Sequence, residues 1–135
     1  MLQIPDAFLA VRYNGENFPR ESIGYRLTDG ANCQVFAYAL LQHFGITIPP
    51  LRSSELWSDT RFTQKVSVFS PLDLILFNRT ELAWGAHVAL FVGDNKAIHL
   101  SASEGHPVIW RLEDFALREE YAVLLGGKRV LPVRI

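Results

Sequence analysis

Only one stretch of the chain has both the length and the composition of a buried helix. Residues 32–45, "NCQVFAYALLQHFG", carry apolar side chains at Val35, Phe36, Tyr38, Ala39, Leu40 and Leu41, enough for about three helical turns. Gly45 suits a C-terminal cap, and the Pro49-Pro50 pair stops any continuation. Asp29 or Asn32 can cap the front, which places Cys33 in the first turn. Downstream the texture changes. "DLILF" (73–77), "HVALFVG" (87–93), "KAIHLS" (96–101), "PVIWRL" (107–112), "YAVLL" (121–125) and "KRVLPVRI" (128–135) are short, β-branched and aromatic-rich, as strands are. "SSELWSDTRF" (53–62), capped by Ser53 or Ser54, and "LEDFALREE" (112–120) read as short helices. Helices first and strands afterwards imply an α+β fold on an antiparallel sheet rather than a parallel βαβ array. No linker or repeat divides the 135 residues, so residues 1–135 are expected to form one domain.

Charge and cysteine content narrow the function. The 13 basic and 14 acidic residues are scattered, with no Lys/Arg run, so the electrostatic footprint of a nucleic-acid binder is missing. No apolar run reaches the roughly 18–20 residues of a membrane span. The first residues lack the basic start and apolar core of a signal peptide, so a cytoplasmic location, or export by a non-classical route, is expected. The single cysteine excludes an intramolecular disulfide framework and a multi-thiolate metal site. No cofactor is expected.

The candidate chemistry lies among Cys33 and the four histidines, His43, His87, His99 and His106. His87 and His99 fall in two strands joined by "GDN". A three-residue loop, Gly93 to Asn95, sets Val92 opposite Lys96, His87 opposite Ser101 and His99 opposite Ala89. Both imidazoles then emerge on one face as diagonal neighbours, about 7–8 Å apart. A two-residue loop without a bulge would turn one of them away. Val88, Leu90, Val92, Ile98 and Leu100 occupy the other face. The histidine face also holds Ala89, Ala97 and Ser101, small enough to admit another element, and the Cys33 helix is the expected visitor. A cysteine at a helix N-terminus has its pKa lowered by the dipole and the free N–H groups. A histidine can take its proton, and a second polar group can hold that histidine's tautomer. Taken singly, Cys33 reads as a buried core thiol and each histidine as a satisfied structural one; two histidines on one face bring the catalytic reading forward. A two-histidine metal site lacks further ligands at a recognisable spacing. His43 at the helix end, His106 before a proline and Asp73 at a strand start read as structural.

These segments resemble NlpC-type cysteine peptidases, bacterial cell-wall endopeptidases of the papain-like superfamily. "DGANCQVFAYALLQHFGITIPPLRSSELW" is similar to the family's D-C-S-G-F-V, helix, G-I-x-L-P-R-x-S segment. "SPLDLILFN" resembles its P-G-D-L-V-F-F strand, and "HVALFVGDNKAIHLSAS" its H-V-G-I-Y-x-G-N-G-x-x-I-H-A-S hairpin. The matches cover residues 24 to about 103, and "FALREEYAVLLGGKRVL" has the texture of the closing strand. The resemblance implies a papain-like NlpC-type fold, with N-terminal helices and the nucleophile helix packed on an antiparallel sheet. It maps the catalytic roles onto Cys33, His87 and His99. It implies hydrolysis of an amide through a thioester, with a peptide as partner, in most members one from peptidoglycan. Tyr25 is the nearest match to a tyrosine that borders the family's site. Asn32, Gln34 and Val35 replace the usual Asp, Ser and Gly around the cysteine, and Leu72 replaces the Gly of P-G-D. Tyr25, Asn32 and Gln34 are therefore the expected substrate-binding rim. An amidase, a deamidase or an acyl-transferring enzyme would use the same trio, and a binding module on this frame would use none of it.

Overall fold

The computed structural model describes residues 1–20 and 25–132. In chain order the elements are α1 (Asp6–Leu9), α2 (Cys33–His43), α3 (Ser53–Ser58), β1 (Thr63–Val66), β2 (Leu74–Asn78), β3 (His87–Gly93), β4 (Lys96–His99), β5 (Val108–Arg111), α4 (Leu112–Phe115), a 3-10 turn (Glu119–Tyr121) and β6 (Val123–Val130). The strands form one sheet in the order β1-β6-β2-β3-β4-β5, every neighbouring pair antiparallel. The α+β expectation holds.

Helix α2 forms where its apolar run demanded. The Asn32 side chain accepts the Val35 N–H at 2.9 Å, so Asn32 is the cap and Asp29 is not. At the far end Gly45, at φ 85°, allows Ile46 N–H to return to Leu41 O at 2.9 Å and Gly45 N–H to Gln42 O at 3.0 Å. That pairing is a Schellman closure, which favours glycine because of the left-handed backbone. Val35, Phe36, Tyr38, Leu40 and Leu41 are buried in one cluster with Val88, Leu90, Val92, Ile98 and Leu100. The opposite face of the sheet has its own cluster. There Ile75, Phe77, Ala89, Phe91 and Ala97 lie with Phe115 and Tyr121, flanked by Trp110 and Leu112.

Here the structure corrects an expectation. Helix α2 does not cover the histidine face; it lies on the aliphatic one. Its leucine and phenylalanine side chains find the larger continuous apolar area there, and apolar burial favours the match of greatest area. The small Ala89 and Ala97 admit the rings of the α4 region instead.

Other departures have local causes. Strand β1 was not anticipated. The segments 121–125 and 128–135 form one strand, β6, held by β1 on one side and β2 on the other; residues 133–135, like Gly24 at the front of the matched segment, lie outside the described residues. At Gly127 a Cβ would fall 2.8 Å from the Phe69 ring, so the close approach requires glycine. Helix α3 starts at Arg52, whose N–H is accepted by Glu55 Oε1 at 2.8 Å, rather than at Ser53 or Ser54. It stops at Asp59, whose carboxylate takes the N–H groups of Phe62 at 3.0 Å and Thr63 at 2.8 Å. The buried Lys128 ammonium donates to Trp57 O at 3.2 Å and to Asp59 O, closing the C-terminal end of α3 onto β6. Segment 112–120 divides into α4 and the 3-10 turn rather than one helix.

Candidate active site

The site begins in the β3–β4 hairpin. Its turn is the pair Asp94-Asn95, with φ 51° and 59°, and Gly93 faces Lys96. The expected three-residue loop is thus a two-residue one, of the kind in which both central residues are left-handed. A bulge at Val92 compensates: beyond it Phe91 faces Ala97 and Leu90 faces Ile98, the expected register. Both histidines therefore share a face, and His87 Nε2 lies 2.8 Å from His99 Nδ1.

Rings surround the pair. Tyr121 lies 4.5 Å from the His87 ring, and Trp110 and Phe115 lie 4.3 and 4.6 Å from that of His99, which has no solvent exposure. Burial pushes the His87 pKa down to about 3. Burial also lowers His99, helped by the nearby His87 and Arg118 charges. Both imidazoles are neutral at pH 7. Their pKa values lie below the unfolded value of about 6.5, so the unfolded chain binds the extra protons first as pH falls. Stability present above pH 6.5 is then lost towards pH 3. The melting temperature should fall steadily from pH 7 to pH 4.5, and the slope should be shallower in His99→Asn; equal slopes in both proteins would exclude the histidines as its source.

Cys33 shares a cleft with His87 although its helix lies on the other face of the sheet. It lines a cleft of about 370 Å³ together with Tyr13, His87, Ser101, Ser103 and Tyr121. Burial pushes its thiol pKa up, against the N–H groups of Val88, Gln34 and Cys33 itself and the charge of Arg52, which act to lower it. The expected depressed thiol is therefore corrected: the helix terminus is there, but desolvation outweighs it. Two backbone donors remain at the front of α2. Val35 N–H is taken by the Asn32 side chain and Phe36 N–H by Asn32 O, which leaves those of Cys33 and Gln34 beside the sulfur.

No family model and no curated relative matches the chain. Solved structures do. A protein similar to lipoprotein, of the NLP/P60 family, from Staphylococcus aureus has a TM-score of 0.60 at 23% identity, over 95% of this chain and 40% of its own. A NlpC/P60 family protein from Bacillus cereus has a TM-score of 0.54 at 28% identity, over 77% of this chain and 33% of its own. The peptidoglycan hydrolase RipB from Mycobacterium tuberculosis has a TM-score of 0.60 at 15% identity, over 94% of this chain and 61% of its own. The chain has an NlpC/P60-like fold. It spans less than two thirds of each of these relatives.

Within this NlpC/P60-like domain the residues singled out from sequence divide cleanly. Cys33 and His87 line the cleft, and His99 stands directly behind His87. Tyr25, Asn32 and Gln34 are not brought to it. Tyr25 donates its hydroxyl to Ile48 O and packs at 5.3 Å against Tyr38. Asn32 spends its side-chain oxygen on the helix cap. Gln34 is buried and donates to Leu51 O at 2.9 Å and Tyr38 Oη at 3.1 Å, tying α2 to the segment after it. Each side chain is engaged by a hydrogen bond within the scaffold, and none lines the cleft. The tyrosine upstream of Cys33 that does line the cleft is Tyr13. Backbone pairing of Arg12 O with Ala31 N–H at 3.0 Å and of Asn14 N–H with Ala31 O at 2.8 Å carries it there, with Gly30 packed where a Cβ would meet Arg12 O at 2.6 Å. Tyr121 and Ser103 also line the cleft, and nothing in their local sequence marks them; Ser101 lines it from the histidine face. His43 packs against Phe8 and Phe44, at 5.4 and 5.0 Å.

Proposed function

We propose that this NlpC/P60-like domain is a thiol hydrolase that cleaves a peptide amide in peptidoglycan stem peptides. The supporting observation is the meeting of Cys33 and His87 on one cleft, with His99 holding His87 from behind at 2.8 Å. His99 occupies Nε2 of His87, so Nδ1 is the nitrogen left to take the thiol proton. With both groups neutral at rest, that transfer accompanies attack of sulfur on the amide carbon rather than preceding it. The oxyanion of the tetrahedral intermediate finds the N–H groups of Cys33 and Gln34, which lie beside the sulfur at the positive end of α2. The His87 imidazolium then gives its proton to the leaving amine, and the thioester forms. A water, deprotonated by the same ring, releases the acid. The substrate class is supported by the relatives described as peptidoglycan hydrolases.

Soluble stem-peptide fragments incubated with the protein, and separated by mass spectrometry, should give two products whose masses sum to the substrate plus one water. Prior alkylation of Cys33 should prevent this. A product that instead contains an added amine would make the enzyme a transferase, and intact fragments throughout would remove peptidoglycan as the substrate.

The cleft has an apolar lip. Leu82 and Trp84 are 70% and 81% exposed on a loop whose next residues, Gly85 and Ala86, line the cleft. The Asn78 side chain fastens that loop by donating to Leu82 O at 2.7 Å and Trp84 O at 3.1 Å. An exposed indole on a loop whose backbone is fastened offers contact area with only its own side chain left to order. Trp84→Ala should raise KM roughly 5-fold, equivalent to about 1 kcal/mol of binding. Because Trp84 supports no packing, kcat should hold and Tm should move by less than about 2 °C; an unchanged KM would place substrate elsewhere.

A further inference from the structure

A neutral imidazole has one N–H and one bare nitrogen, so the 2.8 Å contact between His87 Nε2 and His99 Nδ1 holds a single proton. Two arrangements satisfy it. In the first, His87 Nε2–H donates to His99, Nδ1 of His87 is bare, and the ring can accept the proton of Cys33. In the second, His99 Nδ1–H donates, His87 keeps its own proton on Nδ1, and the ring cannot act as a base. The same contact thus serves an active and an inactive site.

The far side of His99 distinguishes them. Its Nε2 is buried and has no hydrogen-bond partner among the described residues. In the active arrangement that nitrogen carries a hydrogen; in the inactive one it presents a lone pair. The ring is enclosed by Trp110 at 4.3 Å, Phe115 at 4.6 Å and Tyr121 at 5.8 Å between centroids. The Tyr121 hydroxyl is not a partner of Nε2; the Ser101 and Ser103 side chains are the groups that act on it. Aromatic faces are electron-rich: they attract an N–H and repel a lone pair.

We propose that the aromatic box of Trp110, Phe115 and Tyr121 selects the Nε2–H tautomer of His99 and thereby presents a bare Nδ1 of His87 to Cys33. The inference rests on the reading of Cys33 as nucleophile and His87 as base. It makes Trp110 and Phe115 positioning residues that act through His99 without touching substrate. A cationic His99 would also donate from Nδ1 and disable the base. Burial opposes that state, and so does Arg118, whose guanidinium lies 3.7 Å from the centroid of the Trp110 ring.

The test is long-range proton–nitrogen NMR of the full chain with labelled histidine, in a His43→Gln/His106→Gln background that leaves two imidazoles to observe. Both rings should be Nε2–H at pH 7; an Nδ1–H form in either ring overturns the proposal, because the inactive arrangement places both protons on Nδ1. Trp110→Leu and Phe115→Leu keep the site apolar and remove the π face. Whichever variant retains the native circular dichroism should gain Nδ1–H signal. It should also lose 3- to 10-fold in kcat at constant KM and alkylate Cys33 with iodoacetamide more slowly by a similar factor. Wild-type tautomers and rates in the folded variants would overturn the role of the rings. The NMR and alkylation readouts need no substrate, so failure to cleave stem peptides would count against the proposed function and not against the tautomer.

Discussion

Cys33→Ala should reduce amide hydrolysis by at least about 10³-fold in kcat, to the background of substrate alone, while the protein stays folded. The loss is large because no other group in the cleft can take the sulfur's place. The Ser101 hydroxyl is engaged with Ser103 Oγ at 3.2 Å and with the Glu104 N–H at 3.2 Å. The Tyr13 and Tyr121 hydroxyls are held protonated by burial, their pKa values raised. His87→Ala should cost about as much, since thiol and base act as one unit, and the double variant should be no worse than either single one. His99→Ala should cost less, because it removes the orientation of the base and not the base itself. Chromatography of released peptide, alongside thermal melts, measures all four. Turnover above a tenth of wild type in Cys33→Ala would rule this cysteine out as the nucleophile.

Asp73→Ala should lower Tm by about 10 °C, the largest effect on folding that a single polar side chain carries here. Asp73 accepts from Arg129 Nε at 2.8 Å, Arg129 Nη2 at 2.9 Å and the Ser70 N–H at 2.7 Å. Its carboxylate is 2% exposed and the arginine 39%. Breaking a fully buried pair costs about 3–5 kcal/mol. The part-exposed guanidinium recovers some hydration, so about 2–3 kcal/mol is the expected loss, at roughly 4 °C per kcal/mol for a chain of this size. Arg129→Lys keeps the charge, loses the fork and should fall between the two. The pair stitches the start of β2 to β6, and β2 in turn positions His87 through the register Phe77 to His87. Activity in Asp73→Ala should therefore disappear at a lower temperature but be nearly normal well below it; a Tm shift under 3 °C would show that the pair contributes little.

How much of this was legible in the sequence depends on the range of the interactions involved. Helix α2 was readable because its cap, apolar run and terminating glycine lie within fourteen residues of one another. The single strand β6 was not. Gly126-Gly127 is a local signal to break, and the strand continues because β1 and β2 pair with it on both sides. Strand β1 has no alternating signature; its Thr63 is buried because Asp59 takes both its N–H and its hydroxyl. Tyr25 resembled the family's tyrosine by distance along the chain, whereas Tyr13 reaches the cleft through a backbone bridge that sequence spacing does not encode.

By itself the sequence determined that a lone cysteine opens a buried helix and that His87 and His99 lie in one hairpin, where the bulge at Val92, rather than the expected three-residue loop, sets both on one sheet face. Those are consequences of backbone geometry acting over a few residues. Only the tertiary structure decided which face α2 would cover, that rings rather than the helix would enclose His99, and that the Cys33 thiol pKa would rise instead of fall. Each of those outcomes depends on how much water distant segments exclude, and desolvation has no local signature in the chain.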